Sequence, residues 1–239
     1  MTAGRRRRIL GLLSADGAPA LATRRLCDVC AEVTNMSGAG IMLMAGDIPH
    51  GSVCTTNEVS ALIERLQYDL GEGPCVDAYH DDRPVIEPDL AAPGVARWMA
   101  FRGPAVAAGV RAIFGFPLEV GAARLGALNL YRDRPGPLTD DEHADALVMA
   151  DMAAEAILVL QAAAPPGQLA DALEAAAEFN YVVHQAAGMV AAQLDTSVVH
   201  ALIRLRAHAF GNARPLDEVA ADVVARTLRF DANGGRRQR

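Results

Sequence analysis

Lysine is absent from this chain: all 22 basic residues are arginine, set against 29 acidic residues for a net charge of -7. The arginine-only complement reads as codon bias, although arginine suits bidentate contact with phosphate. The negative charge favours solubility and excludes a protein that coats nucleic acid by bulk positive charge, so any such contact must be local. Cysteine is scarce too. Cys27, Cys30, Cys54 and Cys75 are too few for a disulfide framework in 239 residues, which agrees with a reducing compartment. Long apolar runs are missing. Arg5-Arg6-Arg7-Arg8-Ile9-Leu10-Gly11-Leu12-Leu13 has the charge of a signal peptide, but its apolar part stops at Ser14-Ala15-Asp16-Gly17, short of an h-region or a bilayer span. Residues 1–19 are expected to be a flexible basic arm on a cytoplasmic protein with no membrane partner. Catalytic signatures are lacking as well: no Gly-x-Ser-x-Gly, phosphate-cradling glycine loop or zinc-hydrolase pattern occurs, and no acid and base stand out as a pair. The expectation is a protein that is not an enzyme.

What is present is apolar side chain, 51% of the sequence, enough for two modest cores. From Ala20 to Met36, Leu21, Leu26, Val29 and Val33 fit an amphipathic helix closed by Ser37-Gly38. Gly40–Gly46 and His50–Thr56 are β-prone runs separated by Asp47-Ile48-Pro49, a hairpin pattern, and Asn57 caps a helix through Leu66. Leu70-Gly71-Glu72-Gly73-Pro74-Cys75-Val76-Asp77-Ala78 reads as a turn. A short run at Pro84–Glu87 and a helix ended by Gly109 follow. Strands at Arg111–Leu118 and Arg124–Tyr131 are then joined as a hairpin through Val120–Ala123. Thr139 or Asp140 caps a long helix with Leu147, Ala150, Ala154, Ile157 and Leu158 on one stripe. Strands and helices mix without βαβ alternation, which predicts an α+β domain with a mainly antiparallel sheet flanked by helices.

Gly71-Glu72-Gly73-Pro74-Cys75, Arg97-Trp98, Gly109-Val110-Arg111, Phe116-Pro117-Leu118 and Leu125-Gly126-Ala127-Leu128 stand in the order found in GAF domains of actinobacterial regulators. Residues 20–163 resemble that family. The resemblance implies a sensor domain whose ligand pocket, if used, lies over the sheet near Cys75, Trp98, Phe101 and Phe116. As aromatic and small apolar residues, these four are also ordinary core material.

Ala164-Pro165-Pro166-Gly167 breaks the helix and reads as a linker at 164–167. Beyond it the pattern is all-α. Leu169, Leu173, Ala176, Asn180, Val183, Ala187, Val190 and Leu194 recur in steps of four and three, a coiled-coil-like seam suited to pairing with a second subunit. Helices from about Ser197 to Phe210, with Thr196 as cap, and from Pro215 or Leu216 to Leu228 complete three. Gly188 inside the first reads as a site of close helix approach. Val183–Val190, Ala201–Ala209 and Leu216–Ala220 resemble the ANTAR domain of transcription antitermination regulators over 168–230, with a flexible tail at 231–239. That likeness implies three helices that bind RNA hairpins as a dimer. Ala187 stands where that family often has lysine.

The dimer contacts expected are the 169–194 helix and the 140–161 helix. His200, Arg204 and His208 share one face at i, i+4 and i+8, and with Gln185, Arg206, Arg214 and Arg226 they form the candidate RNA surface. A solvated polar face opposite Leu202, Leu205 and Ala209 would look the same. Arg229 on the last helix adds to that surface or merely solvates it. Two further readings stay open: a ligand-gated protein-interaction module without nucleic acid, and a helix-turn-helix DNA binder built around Gly211–Arg214. Cys27-x-x-Cys30 lacks the second ligand pair a zinc site needs and reads as two small buried residues. Cys54 and Cys75 suit a sensor pocket better, with packing as the default. His50, His80 and His143 are single, so no metal or other cofactor is assigned.

Overall fold

Side chains of the central strands point alternately to the two faces of a sheet, and because both faces are covered, residues 112–116 are buried without interruption. A computed structural model of the chain describes residues 2–14, 23–45, 48–93, 97–162, 170, 173 and 181–231. The strands are β1 (Gly38–Ala45), β2 (Ile48–Thr55), β3 (Val85–Glu87), β4 (Ala112–Val120) and β5 (Ala123–Arg132). They pair in the order β2-β1-β5-β4-β3, and every pairing is antiparallel. β4 and β5 are joined by Gly121-Ala122, with Gly121 at φ 60°, the left-handed turn glycine such a tight hairpin requires.

One face of the sheet presents Ile41, Leu43, Phe114, Phe116, Leu118, Leu128 and Leu130 to a core shared with α1 (Thr2–Ser14), α2 (Thr23–Val33) and α6 (Asp140–Ala162). The opposite face lies beneath α4 (Pro74–Asp81), with α3 (Glu58–Leu70) reaching β1 through Glu64 and α5 (Met99–Ala107) fastened beside α4. Caps agree with the sequence. Asn57 Oδ1 accepts from Ser60 N at 2.9 Å, and Thr139 and Glu142 exchange the two bonds of a capping box. Arg132, pairing with Glu142 at 2.8 Å, ties the end of β5 to that box. Burial acts to raise the Glu142 carboxyl, but bonds from Thr139 and the Arg132 charge overcome it and hold it below the usual range.

Several expectations are corrected. Residues 2–14 of the basic arm are not loose: they form α1, which buries Ile9 and Leu13 against the core. Arg5 and Arg8 reach Asp145 at 2.8 and 2.6 Å, while Arg5 also meets Asp141 and Arg6 meets Glu155. The arginines on α1 match acidic residues along α6, so the charge read as a signal-like arm is neutralised locally. The Gly-Pro stretch does not simply turn, since Pro74 at the first helical position opens α4. Cys27 and Cys54 are joined in a disulfide, because α2 lies across β2 and brings together residues 27 apart in sequence. Leu147 leaves the apolar stripe of α6 and is exposed.

The chain divides into two compact units, Met1–Tyr68 with Glu72–Ala176 and Ala177–Arg239 with Asp69–Gly71. Ala170 and Leu173 are buried in the first unit's core. The linker at 164–167, and Leu169, Ala176 and Asn180 of the seam, lie outside the described residues. Among the described residues the second unit holds α7 (Tyr181–Leu194), α8 (Val198–Gly211) and α9 (Leu216–Val224). Val183, Ala187 and Val190 of the seam are buried within this unit, with Ala201, Leu202 and Leu205 of α8 and Val219, Ala220 and Val223 of α9. These seam residues therefore serve the unit's own core. Ser197 rather than Thr196 caps α8, accepting from His200 N at 3.2 Å. Gly188 faces open space, so close approach does not explain it.

If α1 is an integral part of the first unit, Ile9→Ala should destabilise it by about 2–5 kcal/mol, the range for truncating a buried aliphatic side chain. A urea midpoint shift at constant m value would read this. A loose arm would give no shift.

Candidate functional site

The Gly71–Cys75 stretch gains its purpose from what its side chains hold. Gly73, at φ 138°, permits the sharp entry into α4, and a Cβ there would stand 2.6 Å from Gln67 Cγ. Gln67 Oε1 accepts from Cys75 N at 2.7 Å, supplying the partner that a first-turn amide lacks within its helix. Glu72 Oε1 accepts from Ala100 N and Phe101 N at 2.6 and 2.8 Å, placing a carboxylate at the N-terminus of α5. Asp77 Oδ2 accepts from Trp98 Nε1 at 3.0 Å and pairs with Arg97 at 2.5 Å. Arg97 in turn lies 4.6 Å over the Trp98 ring, which meets Phe101 edge-on at 6.2 Å. Two acids from one motif thus fasten α5 and hold Trp98 at φ 54°, a conformation bulky residues seldom adopt.

Beneath these helices the sheet has a gap in its side-chain cover. Gly40 on β1 and Gly115 on β4 both pair with Asn129 on β5, so the three form a row across adjacent strands. A Cβ on Gly40 would lie 2.6 Å from Glu64 Oε1, and one on Gly115 would lie 2.4 Å from the Pro74 carbonyl oxygen. The two glycines let α3 and α4 approach the sheet at backbone distance. Glu64, Gln67 and Cys75 are thereby buried with Asn129, each at most 3% exposed.

This cluster is polar and incompletely satisfied. Neither Glu64 carboxyl oxygen, neither Asn129 amide atom and not the Gln67 Nε2 makes a hydrogen bond of good geometry. Burial pushes the Glu64 carboxyl up to about 8, with the neighbouring Asn129 amide opposing the shift. Near neutrality Glu64 is therefore mostly the neutral acid, a donor as well as an acceptor. Burial, reinforced by Glu64 and opposed by Gln67, also raises the Cys75 thiol well above its ordinary range, so this cysteine is a neutral group rather than a thiolate. Each unsatisfied buried polar group costs on the order of 1–3 kcal/mol. Such a concentration marks this cluster as the candidate site.

Of the four expected pocket residues, Cys75, Trp98 and Phe101 lie on this side of the sheet. Phe116 does not: it points into the opposite core and meets His143 edge-on at 5.5 Å. Glu64, Gln67 and Asn129 were not anticipated. The available signals were an asparagine at an inward position of an otherwise apolar strand, and an acid and an amide on the α3 face that also carries Ser60 and Ile63. Among the described residues, no group of three or more His, Cys, Asp or Glu is placed to hold a metal ion.

In the helical unit, His200 and Arg204 are exposed and line an open cleft of about 340 Å³ with Leu194, Thr196 and Ile203. His208 is drawn away from this pair, half-buried with its ring edge-on to Phe230 at 5.4 Å. Arg214 pairs with Asp222 at 2.8 Å and with Glu218 at 3.6 Å. Gln185 and Arg226 are exposed, and Arg206 is half-buried. The three-residue face on α8 is thus reduced to two.

A family model described as "GAF domain" matches residues 22–158, and the chain belongs to that family. GAF domains are generally regulatory, signal-sensing and ligand-binding modules rather than catalytic ones. Two solved structures share the fold. One is the GAF domain of a phosphoenolpyruvate-protein phosphotransferase from Coxiella burnetii, 17% identical, with a TM-score of 0.52, covering 67% of this chain and 95% of that one. The other is the GAF domain of the Acinetobacter phosphoenolpyruvate-protein phosphotransferase, 14% identical, with a TM-score of 0.51, covering 68% and 96%. No curated protein sequence matches the chain. No single helix among the described residues is long and apolar enough to cross a membrane.

Because the folded state holds the Glu64 proton up to about pH 8 while the unfolded carboxyl releases it near 4.5, the folded state binds more protons between these values. Stability should therefore fall as pH rises from about 4.5 to 8 and then level off. Glu64→Gln should remove this contribution, measured by urea unfolding of both proteins across the range. Gly115→Ala should cost about 1–3 kcal/mol by driving α4 from the sheet, a loss that Gly103→Ala, whose Cβ meets nothing, would not share.

Proposed function

We propose that this protein is a signal-responsive, non-catalytic regulator whose GAF unit senses a small molecule and whose C-terminal helices bind RNA hairpins, promoting transcription antitermination. The observation that carries the sensing half is the buried Glu64–Gln67–Asn129 cluster, whose open hydrogen-bonding capacity gives an incoming ligand something to satisfy. The cytoplasm is the compartment this role needs. The output half rests on the ANTAR resemblance of residues 168–230, and the exposed His200 and Arg204 beside a cleft support it. A homodimer through the 140–161 helix would double a weak hairpin contact; Leu173, Val183, Ala187 and Val190 of the expected 169–194 seam are already taken up in the chain's own cores. Leu147 and Val159 stand 42% and 55% exposed on α6 and favour pairing there.

A second reading has its own support. Val199, Ile203 and Phe210 expose an apolar stripe on α8, as a protein-docking helix would. Gel-shift competition among hairpin RNA, duplex DNA and neither, at about 50 and 200 mM salt, separates these readings. RNA binding should weaken at least about tenfold when His200 and Arg204 are both changed to alanine, a loss of ~1.4 kcal/mol. Affinity for hairpins unchanged in that variant would remove the site. Preference for duplex DNA, or no binding to any nucleic acid, would remove the RNA function.

A further inference from the structure

We infer that Cys27 and Cys54 form a reversible thiol–disulfide switch that governs how firmly the sheet's edge strand is held. The bond links α2 to β2, the outermost strand beyond β1. Apart from this bond, β2 has a single strand neighbour. Its ladder with β1 is interrupted twice, between Ile41 and Met42 and between Leu43 and Met44, and it carries Pro49 and Gly51. α2 needs no cross-link to remain in place, since Leu26, Val29 and Cys30 bury it in a core with α1 and α6. Val53 keeps β2 in the same core, so opening the bond loosens the interrupted ladder of β2 rather than displacing α2.

The other cysteines do not compete. Cys30 and Cys75 are 0% and 1% exposed, and burial raises both thiols, which disfavours the thiolate needed for exchange. Cys54, at 9% exposed on the edge strand, is more open to attack than the wholly enclosed Cys27. A low-molecular-weight thiolate bonds to Cys54 Sγ, the Sγ–Sγ bond breaks, and Cys27 leaves as a thiolate that takes up a proton. A second thiolate then attacks the small molecule's sulfur in the mixed disulfide and releases Cys54 as a thiol. Two small thiols become one small disulfide as the protein disulfide gains two electrons and two protons; the reverse sequence closes it. The switch bears on the polar cluster through β1, which pairs with β2 on one side and offers Gly40 to Glu64 on the other.

The test equilibrates the full-length chain in glutathione buffers of graded ratio, followed by acid quenching, denaturation and maleimide counting by intact mass. Oxidised protein should show two free thiols, at Cys30 and Cys75, and reduced protein four, through one two-electron transition. On reduction, amide exchange over residues 48–55 should accelerate at least tenfold, with β4 and β5 unchanged. The Cys27→Ser/Cys54→Ser variant should exchange like the reduced form in every buffer, and Cys30→Ser should behave as wild type. Four free thiols at every ratio, a bond that opens only after denaturation, a different cysteine pair, or reversible reduction without faster exchange in β2 would each overturn the proposal. Should the double variant fail to fold, the wild-type titration and exchange measurements still decide.

Discussion

The seating of α3 and α4 directly on the sheet, through the Gly40–Asn129–Gly115 row, is the contact from which the rest of the GAF unit's sensing side follows. A Cβ at either glycine would collide with the Glu64 carboxyl or the Pro74 carbonyl. Because both are absent, an acid, an amide and the first turn of a helix come to rest around a single asparagine in the middle of a five-stranded sheet. An apolar core could fill the same space at lower cost. The polar occupants are thus set by something other than stability, and under the proposed function ligand sensing uses them.

The second feature tied to this seating is the fastening of α5. Glu72 leaves the motif immediately before α4 and caps α5, while Asp77, one turn into α4, holds Arg97 and Trp98. A displacement of α4 would therefore pull on the α5 cap and on the strained Trp98 backbone together. The opposite face of the sheet behaves differently, being an apolar core closed by α1, α2 and α6 with ion pairs along one side. One face is packed for rigidity and the other is arranged around unfilled hydrogen bonds.

The fold of the GAF unit was largely legible. β-prone runs bounded by turn residues located the central strands, and Asn57 and Thr139 marked helix starts through chemistry local to a few residues. The site was legible only in part. Motif order points to Cys75, which lies in the polar cluster, whereas strand parity from Asn129 across to β4 puts Phe116 on the other face. On that pairing Gly115 shares the face of Asn129, and Phe116 must point away. The helix at residues 2–14 was missed because its stabilising partners, Asp141 and Asp145, are more than 130 residues distant. Gly-Pro read as a turn for the opposite reason, since a local rule was applied where Pro74 is a helix opener. The Cys27–Cys54 pairing depends on how α2 crosses β2, which no spacing encodes.

For the helical unit the question is how a neutral surface could select RNA. Residues 168–239 hold eight arginines and eight acidic residues, and Arg214 is already committed to Asp222 and Glu218. What remains beside the cleft is one arginine and one histidine next to exposed Ile203. Such a surface is too sparse to follow a phosphate backbone, whose capture scales with the number of charges neutralised. It is better matched to an unstacked loop base, which an apolar side chain and a guanidinium plane can sandwich while a neighbouring group reads its edge. Under the proposed function, recognition would then depend on hairpin loop shape more than on stem length, and salt would weaken binding less steeply than in a basic nucleic-acid binder.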